Sequence, residues 1–211
     1  MRSLTLLLLC LSGVLPLKAA EAPKIFNTQE LTIPLLKPTE ALKAITVPKG
    51  FRVQLSSAEP MVQQPIAMTW DTRGRLWIAE CYTYAERKTN FETKLKDRII
   101  ILEDTNQDGV FDKRKVFWDG ASQLAGIEIG FGGVWAACAP EILFIPDANG
   151  DDVPDGEPEP ILDGFENDKV RHNIVNGLKW GPDGWLYGRH GILGPGSKVG
   201  KPGTPEAERT S

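Results

Sequence analysis

The chain has 211 residues, 41% of them hydrophobic and 25% charged, with a formal net charge of −4. That composition excludes a chain disordered throughout and carries no basic footprint for nucleic acid. The length accommodates one or two domains.

Residues 1–20 read as a secretory signal peptide. Arg2 precedes an apolar run from Leu4 to Leu17, and small residues follow at Ala19 and Ala20. The run is too short to span a bilayer, so export to the periplasm or the extracellular space is expected. Without Arg2 and Lys18, 22 basic residues face 28 acidic ones, a net charge of −6. Cys81 and Cys138 remain beyond the leader. Export permits a disulfide between them; the alternative is two buried small apolar side chains.

Residues 21–47 read as an extended leader that ends in a short helix over PTEALKAI, Pro38 to Ile45, with proline at an early helical position. GFRVQLSS then alternates apolar and polar residues as a half-buried strand does. From there the sequence repeats. MTWDTRGRLW, Met68–Trp77, aligns with LKWGPDGWLY, Leu178–Tyr187, and a shorter copy, IEIGFGGVW, runs from Ile127 to Trp135. Each copy predicts a strand, a Gly-bearing turn and a second strand. Two copies continue into a third strand, an acidic loop and a fourth strand. Four-stranded units beginning near Gln64, Gly126 and Asn176 predict an all-β chain, an incomplete β-propeller over residues 48–211 with blades near 64–120, 126–164 and 176–211. About two and a half blades are expected, and FRVQLSS would serve as the outer strand of a last blade. The chain is read as a fragment or an early-terminated product. The competing architecture is a β-sandwich. The repeat-position aromatics Trp70, Trp77, Trp135, Trp180 and Tyr187 are expected to pack between blades.

The first acidic loop places Asp104, Asn106, Asp108 and Asp112 at positions 1, 3, 5 and 9, with Gly109 at position 6 and the Val110 carbonyl at position 7. That spacing of hard oxygen ligands selects calcium over zinc or copper. Position 12 is Lys115 where an EF-hand has glutamate, so the second half of the loop departs from that motif. The second loop offers Asp147, Asn149, Asp151 and Asp155, with the Val153 carbonyl at position 7 and Asp152 in place of the glycine. Both are expected to be structural calcium clamps on hairpins. The alternative is a pair of Asx-rich turns without metal.

The two histidines, His172 and His190, flank the third repeat, and Arg171 and Arg189 sit beside them. On a propeller both loops open on one face. The imidazoles suit general-base work and the guanidiniums suit an anionic cofactor or substrate; the alternative is a pair of ordinary loop histidines. Glu80, Tyr82 and Tyr84 follow the second strand of the first blade and are candidates for substrate contact on that face.

His172–Asn173 followed by GLKWGPDGWLYG resembles the HNGG…GPDGxLY stretch of the soluble quinoprotein glucose and sorbosone dehydrogenases. The resemblance implies a six-bladed propeller that binds pyrroloquinoline quinone and calcium. It makes His172 the base that takes the substrate hydroxyl proton, with Arg171, Asn173, Arg189 and His190 near cofactor or substrate. A longer set is similar to the N-terminal region of large exported bacterial proteins assigned as membrane-bound dehydrogenases: VPKGFRVQLSSAEP, GRLWIAECYTYAE, ILEDTNQDGVFDKRKVF, LFIPDANGDDVPDG and HNIVNGLKWGPDGWLYGRHG. That likeness implies a sugar or polyol substrate, an electron acceptor outside this chain, a c-type haem only in sequence beyond Ser211, and membrane association of the full-length protein. The rival reading is a non-catalytic propeller that binds glycan or protein and uses calcium for rigidity. A third is that these 211 residues have no activity of their own.

Overall fold

The computed structural model describes residues 36–84, 90–165, 174–191 and 197–210. The signal-peptide reading therefore lies outside the described residues. A helix α1 spans Pro38–Ala44, one residue shorter than expected, with Glu40 accepting the Lys37 N–H and no buried side chain.

Three antiparallel sheets follow. The first has four strands in chain order: β1 (Pro65–Trp70), β2 (Leu76–Glu80), β3 (Asp97–Glu103) and β4 (Lys113–Ala121). The second repeats the meander with β5 (Leu124–Ile129), β6 (Gly133–Cys138), β7 (Glu141–Pro146) and β8 (Glu159–Leu162). The third pairs β9 (Asn176–Trp180) with β10 (Leu186–Arg189). Among the described residues the chain is thus all-β apart from α1 and a 3-10 turn at Glu206–Glu208.

Register ties the repeat to its residues. In each sheet the first two strands pair Thr69 with Trp77, Glu128 with Trp135 and Lys179 with Tyr187. Alternation then puts one row of side chains on each face. Trp77, Ala79, Ile99 and Ile101 leave the first sheet on the side that meets Ile127, Val134 and Ala136 of the second, forming the main core. Trp135 and Ala137, on the opposite face of the second sheet, meet Leu178 and Leu186 of the third. The sheets stack face to face because the second sheet carries an apolar row on each face, one buried against the first sheet and the other against the third.

Polar bonds lock the stack. Buried Glu128 accepts from Thr69 Oγ1 at 2.9 Å and from Lys179 Nζ at 3.0 Å, so one carboxylate joins three sheets through the same repeat position. The Trp180 indole N–H donates to the Ile129 carbonyl at 2.9 Å. Gly130 permits that approach, since a Cβ there would stand 2.8 Å from Trp180 Nε1.

Two expectations change. Residues 51–58 form no strand. They run beside the first acidic loop, with Phe111 N–H bonding the Ser56 carbonyl and Gln54 Nε2 bonding the Asp108 carbonyl. These bonds reach a loop, so no ladder forms. Among the repeat aromatics, Trp77, Trp135 and Trp180 pack as expected, whereas Trp70 is 59% exposed and Tyr187 54% exposed. Those two lie on the outermost faces of the stack, where no further sheet covers them among the described residues.

Candidate functional site

The two acidic loops share one internal wiring. In the first, Asp108 N–H donates to Asn106 Oδ1 (2.9 Å), Val110 N–H to Asp108 Oδ1 (2.8 Å) and Asn106 Nδ2 to Asp108 Oδ2 (3.2 Å). In the second, Asp151 N–H donates to Asn149 Oδ1 (3.0 Å), Val153 N–H to Asp151 Oδ1 (2.9 Å) and Asn149 Nδ2 to Asp151 Oδ2 (3.1 Å). The last carboxylate of each loop accepts the second residue's N–H, Thr105 to Asp112 and Ala148 to Asp155. Asp104 accepts from Asp108 N–H and Gly109 N–H. Both loops connect the third and fourth strands of their sheets, as the sequence implied.

The loops part at position 6. Gly109 adopts φ 87°, and Asp152 holds the same left-handed region at φ 66° despite its side chain. Its carboxylate is engaged by Arg75 through Nη1 and Nη2, both at 2.7 Å, and by Arg73 at 2.9 Å. The Arg75 hydrogen bond holds the Asp152 carboxyl below the usual carboxylate range. Lys115, standing where an EF-hand would place its glutamate, donates to the Asp151 carbonyl at 2.8 Å. Loop two is therefore bound to the first sheet by three cations. Neither its non-glycine position 6 nor Lys115 gave any sequence sign of that partnership, because the partners lie 36 to 79 residues apart.

The donor set fits a hard cation in one further respect. Asp147 accepts backbone N–H groups of Asp152 and Gly150, yet its Oδ1 is buried without a partner. Burial, with Asp152 and Asp151 nearby, pushes its carboxyl up. A cation beside Oδ1 would relieve both costs. Among the described residues no three His, Cys, Asp or Glu side chains already stand together as a metal cage. In the second loop Asn149 and the Val153 carbonyl would add to an oxygen shell, as Asn106 and the Val110 carbonyl would in the first.

His172, Arg171 and Asn173 lie outside the described residues. Arg189 ends β10 and His190 follows it; the two line a cavity of about 380 Å3 with Trp135, Phe165, Leu178 and Leu186. The His190 ring meets Phe165 edge to face at 5.4 Å, and its Nε2 lies 3.5 Å from Ser197 Oγ. The cavity lies between the second and third sheets, so it is apolar apart from the Arg189 guanidinium and the His190 imidazole at one side.

Glu80 and Tyr82, expected at an open face, are instead enclosed, at 0% and 2% exposure. Glu80 accepts from Gln63 N–H (2.8 Å), Tyr82 Oη (2.7 Å) and Arg114 Nη2 (2.9 Å). Burial, then the Glu80 bond, raises the Tyr82 phenol. That network ties β2 to β4 and to residues 61–63, a structural task. Tyr84 is 40% exposed, packs edge to face on Phe91 at 5.8 Å, and lines a cavity of about 260 Å3 with Cys81 and Ile174.

Cys81 and Cys138 are free, buried thiols. The centre between them is buried Asp97, which accepts from Thr83 N–H (2.7 Å), Thr83 Oγ1 (2.7 Å), Leu124 N–H (2.9 Å) and Cys81 Sγ (3.8 Å). This carboxylate fastens the end of the first sheet to the start of the second. The sequence carried no motif for it, since Asp97 is one acid among 28 acidic residues.

No curated protein and no solved structure matches the sequence. Residues 37–209 match the family described as Domain of unknown function (DUF7133), which takes in α1 and all three sheets, and the chain belongs to that family.

Proposed function

We propose that the stacked sheets are blades of an exported six-bladed β-propeller of the quinoprotein type, which oxidises a sugar or polyol and passes electrons to an acceptor outside this chain. The observation that carries the reading is the pairing of Arg189 and His190 on a 380 Å3 cavity walled by Trp135 and Phe165. An apolar slot with two basic groups on one side suits a flat polycarboxylate such as pyrroloquinoline quinone. The quinone, when bound, supplies the two-electron acceptor. Arg189 pairs with a cofactor carboxylate. His190, braced by Phe165, donates a second hydrogen bond. The apolar walls exclude water. His172 takes the hydroxyl proton in this proposal. The successive four-stranded meanders, stacked face to face, support the propeller architecture. The acceptor is a c-type haem in a longer form of the protein, which associates with the membrane.

Two calcium ions clamp the third-to-fourth-strand hairpins, through Asp104, Asn106, Asp108, Val110 and Asp112 in one and Asp147, Asn149, Asp151, Val153 and Asp155 in the other. Support comes from the shared wiring and the orphaned Asp147 Oδ1. Their role is structural, because both loops lie on the outer hairpins and not on the Arg189–His190 cavity.

The test is titration of the purified protein with pyrroloquinoline quinone in calcium, read by quenching of tryptophan fluorescence and then by dye reduction with a panel of sugars. Saturable quenching that weakens about tenfold or more in Arg189→Ala, the loss of one charge-assisted contact, is expected. Absence of quenching in folded protein would sink the reading. The second reading, a non-catalytic propeller for glycan or protein, is favoured by the loops' purely structural wiring. It predicts calcium-dependent stability with no quinone binding.

A further inference from the structure

The geometry points to Asn149 as a modification site: its side-chain amide closes on the Gly150 backbone nitrogen, and the second acidic loop converts to aspartate and isoaspartate with loss of ammonia. The inference rests on the Asn149–Gly150 peptide and its surroundings, not on the quinone or calcium readings.

Such a closure needs an asparagine whose amide carbon reaches the next backbone nitrogen, and a following residue with no side chain in the way. The sequence has two Asn–Gly pairs, Asn149–Gly150 and Asn176–Gly177. The fold separates them. Asn176 opens β9, pairs with Arg189 and is half-buried, and its Nδ2 is tied to the Ile174 carbonyl at 2.7 Å. Asn149 and Gly150 are both exposed in the connection between β7 and β8. Gly150 adopts φ 68°, and a Cβ there would meet nothing within 4 Å, so the space beside the peptide is open. The Asp151 N–H donates to Asn149 Oδ1 at 3.0 Å, which closes a ring around the Gly150 peptide and keeps the amide carbon on its side. The same bond draws electrons toward Oδ1 and makes that carbon more electrophilic. Asp147 accepts the Gly150 N–H and keeps an oxygen without a partner, so a proton acceptor stands at the attacking nitrogen.

The Gly150 nitrogen bonds to Asn149 Cγ and passes its proton to the Asp147 carboxylate. The Cγ–Nδ2 bond then breaks, and ammonia leaves with that proton, which closes a five-membered succinimide. Water opens the ring at one carbonyl to give aspartate, or at the other to give isoaspartate. Aspartate adds a negative charge beside Asp151. Isoaspartate also lengthens the main chain by one methylene, so the Asp151 and Val153 N–H bonds of the loop lose their register. The first loop is the internal comparison. It has the same ring, from Asp108 N–H to Asn106 Oδ1 at 2.9 Å, but Gln107 follows its asparagine and holds φ 61°. The Gln107 side chain shields the nitrogen, so Asn106 keeps its amide.

The test is peptide mass spectrometry of the folded protein, held for weeks in neutral buffer with a chelator, with isoaspartate read by an isoaspartyl methyltransferase. Asn149 is expected to convert to acid and to isoaspartate, while Asn106 and Asn176 keep their amides. In urea Asn149 and Asn176 are expected to convert together, since the fold alone separates them. Gly150→Gln copies Gln107 of the first loop and is expected to slow the conversion about tenfold or more. Circular dichroism checks that the variant keeps its fold. An Asn149 that stays intact in the folded wild type overturns the inference. So does conversion of Asn106 or Asn176 at the same rate, or conversion that a folded Gly150→Gln leaves unchanged. Quinone and calcium titrations of fresh protein report on the other readings separately, so each fails independently.

Discussion

Arg75 on the first sheet holds Asp152 of the second acidic loop with two parallel hydrogen bonds of 2.7 Å, while its Nε bonds Asp71 at 2.7 Å. Arg75 is 6% exposed, and both acids keep their charge within this cluster. One guanidinium thus joins the turn between β1 and β2 to the loop between β7 and β8. Removing Asp152 leaves Arg75 with Asp71 alone. Because the pair is partly open to solvent, Asp152→Ala should cost about 1–2 kcal/mol, and urea unfolding at neutral pH measures it.

Acid should weaken the same cluster. The folded-state carboxyl of Asp152 lies below its ordinary value through the Arg75 bond. Burial opposes the shift at Asp71, where bonds from Trp77 and Arg75 outweigh it. A depressed pKa contributes stability that is present above the unfolded value of 3.8 and lost as pH falls through the folded one. Asp97 works with the opposite sign. Burial raises its carboxyl despite bonds from Leu124 and Thr83, so its penalty fades as pH drops. Stability measured from pH 5 to 2.5 should fall less steeply in Asp152→Asn than in wild type. Equal slopes would remove the Arg75 cluster as a source of acid sensitivity.

Calcium should raise the melting temperature, and a hundredfold excess over Kd adds about 2.7 kcal/mol. Asp147→Asn should reduce the gain, since it removes charge at the orphaned oxygen. The raised Asp147 carboxyl also makes calcium binding to the second loop weaken as acid protonates it. Calorimetric titration of Asp104→Ala and Asp147→Asn separates the two sites. Heat and melting temperature that ignore calcium in wild type would leave two metal-free Asx turns.

Glu80 is the buried hub of the first sheet's outer side. Glu80→Ala strands Arg114 and should cost about 3 kcal/mol, whereas Tyr82→Phe loses one hydrogen bond and about 1–2 kcal/mol. Thermal unfolding compares them. A neutral Glu80→Ala together with altered substrate kinetics would return Glu80 to a functional role.

The thiols give a direct probe of packing. Burial, then Asp97, pushes Cys81 up to about 12, and burial pushes Cys138 up as well. Thiolate is the reactive species, so neither should react with an aromatic disulfide reagent in the native state. In a Cys10→Ser variant, two thiols should appear on addition of denaturant, and fast native labelling would show that the sheet junction opens.

Much of the strand pattern was legible along the chain because it depends on neighbours. Period-two alternation, the Gly-bearing turns and the Asp–Asn–Asp spacing act within a few residues, so the meanders, their order and the twin loops could be read from the sequence. Residues 51–58 show where that stops: their alternation is real, but a strand needs a partner, and the backbone reached a loop instead. The tertiary structure alone decided which faces are buried. Equivalent aromatics diverge, Trp77 inside and Tyr187 outside, because among the described residues a sheet lies above Trp77 alone. It likewise brought Arg75 to Asp152 and Arg114 to Glu80, and made Asp97 the fastening between sheets. Those pairs lie 27 to 77 residues apart, and such contacts depend on how the sheets stack, which no local spacing encodes.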